Sequence, residues 1–272
     1  MLDKDHFLLK YPRQLIATMR TYPEAYRFML KNKLWVGIDQ YGWVSKLLVF
    51  IAIVLGLQMY SKIFSWIGKL KGELAAGSVA QMGTALGEVA GEAFNLLQSN
   101  SIKYIVLILL EVVVFHFSRR TIEVLTGESR PAALQDFINA QIRMIKVSAI
   151  SLVSETVFIA VVGIYFDIFS KASYFEPVLV FCIHCYYMGF AVLDNYHEQY
   201  KLTIKESVKY TTSYIGVALG LGVVLKLLMY IPLFGTLAAP LFTAVTAVLV
   251  MHRISDLHLL GKKLALKLEE TV

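Results

Sequence analysis

Apolar runs of near-bilayer length, cut at intervals by polar segments, constrain this chain more than any other feature. A first run covers about Val44 to Trp66, and others cover Ile102 to Phe117, Val147 to Phe166, Val178 to Leu193 and Tyr214 to Ile231. About 20 apolar residues in a helix cross roughly 30 Å of hydrocarbon. The last run, Leu241 to Met251, offers only about eleven, inside the 10–14 range typical of segments that enter a bilayer without crossing it. Composition agrees, at 57% hydrophobic and 17% charged with a mean hydropathy of +0.61, whereas soluble proteins carry roughly a quarter charged residues. Too little polar surface exists to cover a core in water. The expected fold is therefore an all-α integral membrane protein in one unit over residues 1–272. It has two long transmembrane helices and two helical hairpins, of which at least the last is re-entrant.

Charge placement gives orientation. The excess of 26 Lys and Arg over 20 Asp and Glu falls in clusters that abut the ends of apolar runs, which is the positive-inside pattern rather than a nucleic-acid footprint. Residues 1–43 are expected to be a cytoplasmic or interfacial N-terminus, with Thr21 as N-cap of a short helix and Pro23 in its first turn. Residues 68–101 form an Ala/Gly-rich extracytoplasmic connector with Gly83, Gly87 and Gly91 at four-residue spacing. That spacing suits either a close helix contact between subunits or a flexible linker. Residues 253–272 form a cytoplasmic tail, so both termini face the cytoplasm. The helix through Phe117 continues until Gly127 and Pro131 stop it.

Enzyme signatures are lacking: there is no phosphate-binding loop, no paired-His metal helix and no nucleophile elbow. No metal or cofactor is expected. Cys182 and Cys185 lie inside an apolar run and read as small packing residues rather than a disulfide or haem attachment.

The stretch GFAVLDNYHEQYKLTIKESVKY (Gly189–Tyr210), followed by IPLFGTLAAP (Ile231–Pro240) and TAVTAVLV, resembles the family of CysZ sulfate permeases and etoposide-induced membrane proteins. KNKLW (Lys31–Trp35) and FSRRTIEVLTG (Phe117–Gly127) match it more weakly. The resemblance implies partly penetrating hairpins, a bacterial inner-membrane location and uptake of sulfate or a related small anion. Where the permeases carry a Gly-Leu-Arg type motif, this chain has Asn32, Lys33 and Leu34, so only Lys33 keeps a cation. The etoposide-induced branch implies that the fold can serve roles other than sulfate transport; the competing reading is a non-transporting membrane scaffold or assembly factor that binds partner proteins, with the long helix through Phe117 and the Ala/Gly-rich loop as docking surfaces.

Candidate anion-binding residues are Asn32 and Lys33 together with Gly235, Thr236 and Pro240. At the second group, the N-terminus of a helix starting inside the membrane would present free amides, with Pro240 in its first turn. The alternative is a hairpin tip merely buried against a neighbour. Glu111, Glu155 and Lys226 are the deepest ionisable groups, each costing roughly 2.5–3.5 kcal/mol at a helix centre. Either glutamate paired with Lys226 would be structural; an unpaired Glu155 would carry a coupling proton. His116 and His184 read as packed polar residues or proton relays, and Arg119, Arg120 and Arg130 as membrane anchors or an anion mouth. Asp194, Glu198 and Glu206 are expected to bond helix ends and neighbours such as Lys205 and Lys209. Expected partners are a small anion, the lipid bilayer and further copies of the chain in a homo-oligomer; nucleic acid is not one.

Overall fold

A computed structural model describes residues 4–38, 46, 50, 100–128, 134–168, 174–229 and 234–259. Most of the first run (44–66), the Ala/Gly-rich connector, Arg130 and Pro131, residues 230–233 and the tail beyond 259 lie outside the described residues. Those described are all-helical, without strands: α1 (Lys4–Lys31), α2 (Asn100–Thr126), α3 (Leu134–Ile168), α4 (Glu176–Gln199), α5 (Ile204–Thr211), α6 (Ile215–Met229) and α7 (Phe234–Ile254). A 3-10 turn, Thr212–Tyr214, joins α5 to α6.

Three stretches are long and apolar enough to cross a membrane: Gln135–Ile168, Glu176–Gln199 and Ile204–Met229. The arms on either side of Lys171 thus both have spanning length. In α7, a 21-residue helix, the described apolar stretch Ala238–Ile254 is shorter than these three. On α3 only 22% of the most apolar window is buried. Val153, Val157, Val161, Ile164 and Ile168 stand on its outer surface, a face that suits lipid and not water.

α2, α3 and α4 form one antiparallel layer. Tyr104 meets Glu155 and Ile108 meets Gln141 between α2 and α3, while Arg143 meets Asp194 and Glu155 meets His184 between α3 and α4. α2 and α4 therefore run in the same direction. α6 packs antiparallel on α4 at backbone contact: a Cβ at Gly189 would overlap the Ala218 carbonyl, and one at Gly222 would overlap the Cys185 carbonyl. Only glycine permits that approach.

The N-terminus departs from expectation. α1 is one 28-residue helix that passes through both Pro12 and Pro23. Thr21 is no cap, because its Oγ1 donates to the Ala17 carbonyl inside the helix. Each proline removes one backbone bond, yet tertiary packing holds the helix together. Thr18, Thr21, Ala25 and Met29 recur on one buried face against α6 and α7. Gly216 sits on the Tyr11 carbonyl, Gly220 on Thr18, and the Tyr22 hydroxyl lies 3.2 Å from both the Leu221 carbonyl and Thr243 Oγ1. α1 and α6 thus run in the same direction, and the C-terminal end of α1 shares one end of the bundle with the C-terminal end of α6 and the start of α7.

Helix ends follow local chemistry. α2 stops at Gly127, which takes φ +72 and donates to the Glu123 carbonyl. α5 starts in a capping box, with Thr203 Oγ1 accepting from the Glu206 amide and the Glu206 carboxylate accepting from the Thr203 amide.

Candidate functional site

Two polar clusters occupy the interior of the α2–α3–α4 layer. The first centres on Glu155, fully buried on α3. The Tyr104 hydroxyl of α2 donates to its Oε2 at 2.6 Å, and His184 Nδ1 of α4 bonds its Oε1. Three helices each supply one member, so the cluster exists only when the layer is assembled. On the neighbouring α6, Lys226 is 5% exposed, with its ammonium 5.0 Å from the Phe181 ring centroid. Among the described residues no ion pair joins Lys226 to Glu111 or Glu155. The expected structural pair is replaced by the Tyr104–Glu155–His184 cluster, and the lysine lies within the electrostatic reach of Glu155 without direct contact.

The second cluster sits about 18 Å further along α3, twelve residues at about 1.5 Å each. Arg143 forms a two-pronged pair with Asp194, Nε to Oδ2 and Nη2 to Oδ1 both at 2.8 Å, and donates from Nη1 to the Leu202 carbonyl. Glu198 stands 4.0 Å from the same guanidinium. Glu111 of α2, fully buried, accepts one long bond of 3.4 Å from Asn195 Nδ2. The expectation that Asp194 and Glu198 would bond Lys205 or Lys209 is corrected: α3, not the following helix, supplies their cation. Glu206 does bond a helix end. Sequence reasoning missed Arg143, which lies in a polar stretch where a basic residue also satisfies the positive-inside pattern.

Asn32 and Lys33 cap a helix. Leu34 N donates to Met29 O and Lys33 N to Leu30 O, with Lys33 in the left-handed region at φ 47, a Schellman arrangement. Asn32 Nδ2 is bonded to the Phe28 carbonyl. The pair therefore lies at the negative end of the α1 dipole, where a cation is favoured and an anion is not. Gly235 is buried against the Leu228 carbonyl. Pro240 lies in the second turn of α7, not the first, and has no N–H to offer the Thr236 carbonyl. Both groups share one end of the bundle, but among the described residues no hydrogen bond or ion pair connects them.

His116 is a packed residue whose Nε2 donates to the Leu34 carbonyl at 2.9 Å. Arg119 and Arg120 both pair with Glu123. A groove of about 490 Å³ between α1 and α7 is lined by Arg13, Arg20, Glu24 and Arg253, on helices other than those of the two clusters. Among the described residues no group of three or more His, Cys, Asp or Glu side chains is placed to hold a metal ion.

Helices of spanning length with apolar outer faces and buried charges define the class: an all-helical, membrane-associated protein. Beyond the class, comparison adds nothing: no family model, no curated protein and no solved structure matches the chain.

Proposed function

We propose that this protein is a membrane permease for a small inorganic anion, coupled to a proton held at the Glu155 cluster. Lys226 carries the reading. A lysine enclosed in apolar helices, with an aromatic ring but no carboxylate in contact, is costly to keep unless something else supplies the negative charge. The Glu155–His184 pair beside it can take up and release a proton as the anion arrives and leaves. Sulfate is the first anion to test, on the resemblance to CysZ permeases alone, and the basic clusters support a cytoplasmic side for both termini. In proteoliposomes, labelled sulfate uptake should exceed that of empty vesicles and rise with an inward proton gradient, and Lys226→Met should abolish it. No flux of sulfate, sulfite, thiosulfate, phosphate or chloride above empty vesicles would overturn the proposal.

One observation favours the alternative, a non-transporting scaffold that binds partner proteins. Gly235 is seated on the Leu228 backbone, as expected of a tip that only packs. On that reading Lys226→Met leaves function in place.

A further inference from the structure

Among the described buried acidic groups, Glu111 is the least provided for. Asp194 has a two-pronged guanidinium, and Glu198 keeps 17% of its side chain exposed beside the same Arg143. Glu111 has neither solvent nor a cation in contact: it is 0% exposed, and its Oε1 has no hydrogen-bond partner. The charged groups that act on it are Glu198 and Asp194 from α4 and Arg143 from α3, three carboxylates in all around one guanidinium.

Two amide oxygens share its situation. Asn195 Nδ2 donates to Glu111 Oε2, and Gln141 Nε2 donates to the Ile108 carbonyl at 2.7 Å, one helical turn before Glu111. A carboxylate and a carbonyl can only accept, so neither amide can be turned round to offer its oxygen instead. Asn195 Oδ1 and Gln141 Oε1 are left buried and unpartnered, like Glu111 Oε1. Three acceptor oxygens from three helices, one of them anionic and none facing a donor, are a ligand set for a hard cation. One carboxylate and two neutral oxygens match a single positive charge.

We infer that Glu111, Asn195 and Gln141 form a buried binding site for a small monovalent cation within the α2–α3–α4 layer. The inference rests on the permease reading only for its purpose, as the site of a coupling ion; binding itself needs no flux. A bound cation joins the three helices and neutralises Glu111, whose carboxylate has no cation in contact.

The test uses the full chain in lipid nanodiscs, titrated with sodium chloride against N-methylglucamine chloride at constant ionic strength. Sodium should raise Tm with a saturable dependence, by the linkage between ligand binding and stability. Glu111→Gln should weaken the sodium response by about tenfold or more in midpoint concentration, since it removes the only formal charge among the ligands. Should that variant fail to fold, Gln141→Leu carries the same expectation. A Tm that responds to pH but not to sodium, or a sodium response unchanged in these variants, overturns the site. Saturable sodium binding without anion flux would leave the site standing and remove the permease reading; flux indifferent to sodium, with no sodium-dependent Tm, would do the reverse.

Discussion

Around α3 the interior is polar and the outer face apolar, whereas around α1 the interior is mostly apolar and the outer face mixes charges with exposed Ile16, Met19 and Leu30. Glu111, Arg143, Glu155, His184 and Asp194 lie inside the first region, with Val153, Val157 and Ile164 outside. Thr18, Ala25, Met29 and Leu221 fill the second, and Arg13, Arg20, Arg27 and Lys31 cover it. The first is organised for lipid, where an interior ion must be matched by another group of the fold. The second follows the rule for a helix facing water or headgroups. On the proposed function, binding and charge movement fall to the first region, while the second holds the bundle together through close backbone contacts.

Substitutions can break that contrast. Gly222→Leu, where the helices of the two regions meet, should cost about 4 kcal/mol or more, because the side chain must displace the Cys185 backbone. Loss of the monodisperse folded species in detergent checks it. Glu155→Ala should cost about 3 kcal/mol by leaving Tyr104 and His184 without their shared acceptor; a Tm near wild type would mean the polar interior is not structural. Tyr22→Phe, in the second region, should cost only about 1 kcal/mol, since one shared neutral hydrogen bond is lost. Lys33→Gly should stabilise by up to about 1 kcal/mol by relieving a left-handed residue, and should leave anion uptake unchanged. Reduced uptake there would restore Lys33 as an anion ligand.

Much of the first region was legible in the sequence. Run lengths located α3, α4 and α6, and Gly127 marked the end of α2. Glu111, Glu155 and Lys226 were recognisable as buried charges because they interrupt apolar runs. Their partners were not, since Tyr104, Arg143 and His184 are set by which helices lie side by side, and no local pattern encodes that. In the second region local signals misled. Thr21 read as a cap and Pro23 as a first-turn residue, because the contacts that carry α1 past them come from α6, some two hundred residues away. One signal was available: Gly216 and Gly220 stand at the four-residue spacing of a close helix contact.

The glycine contact between α4 and α6 has a mechanical consequence. Two helices touching backbone to backbone neither slide nor roll on one another easily, so His184 and Lys226 travel as one rigid block. α3 is fastened to that block by the Arg143–Asp194 clamp near one end and carries Glu155 about 18 Å away. Arg143 is then a fulcrum and the intervening turns a lever arm. A tilt of α3 by about 10° over that length displaces Glu155 by about 3 Å, roughly the reach of one hydrogen bond.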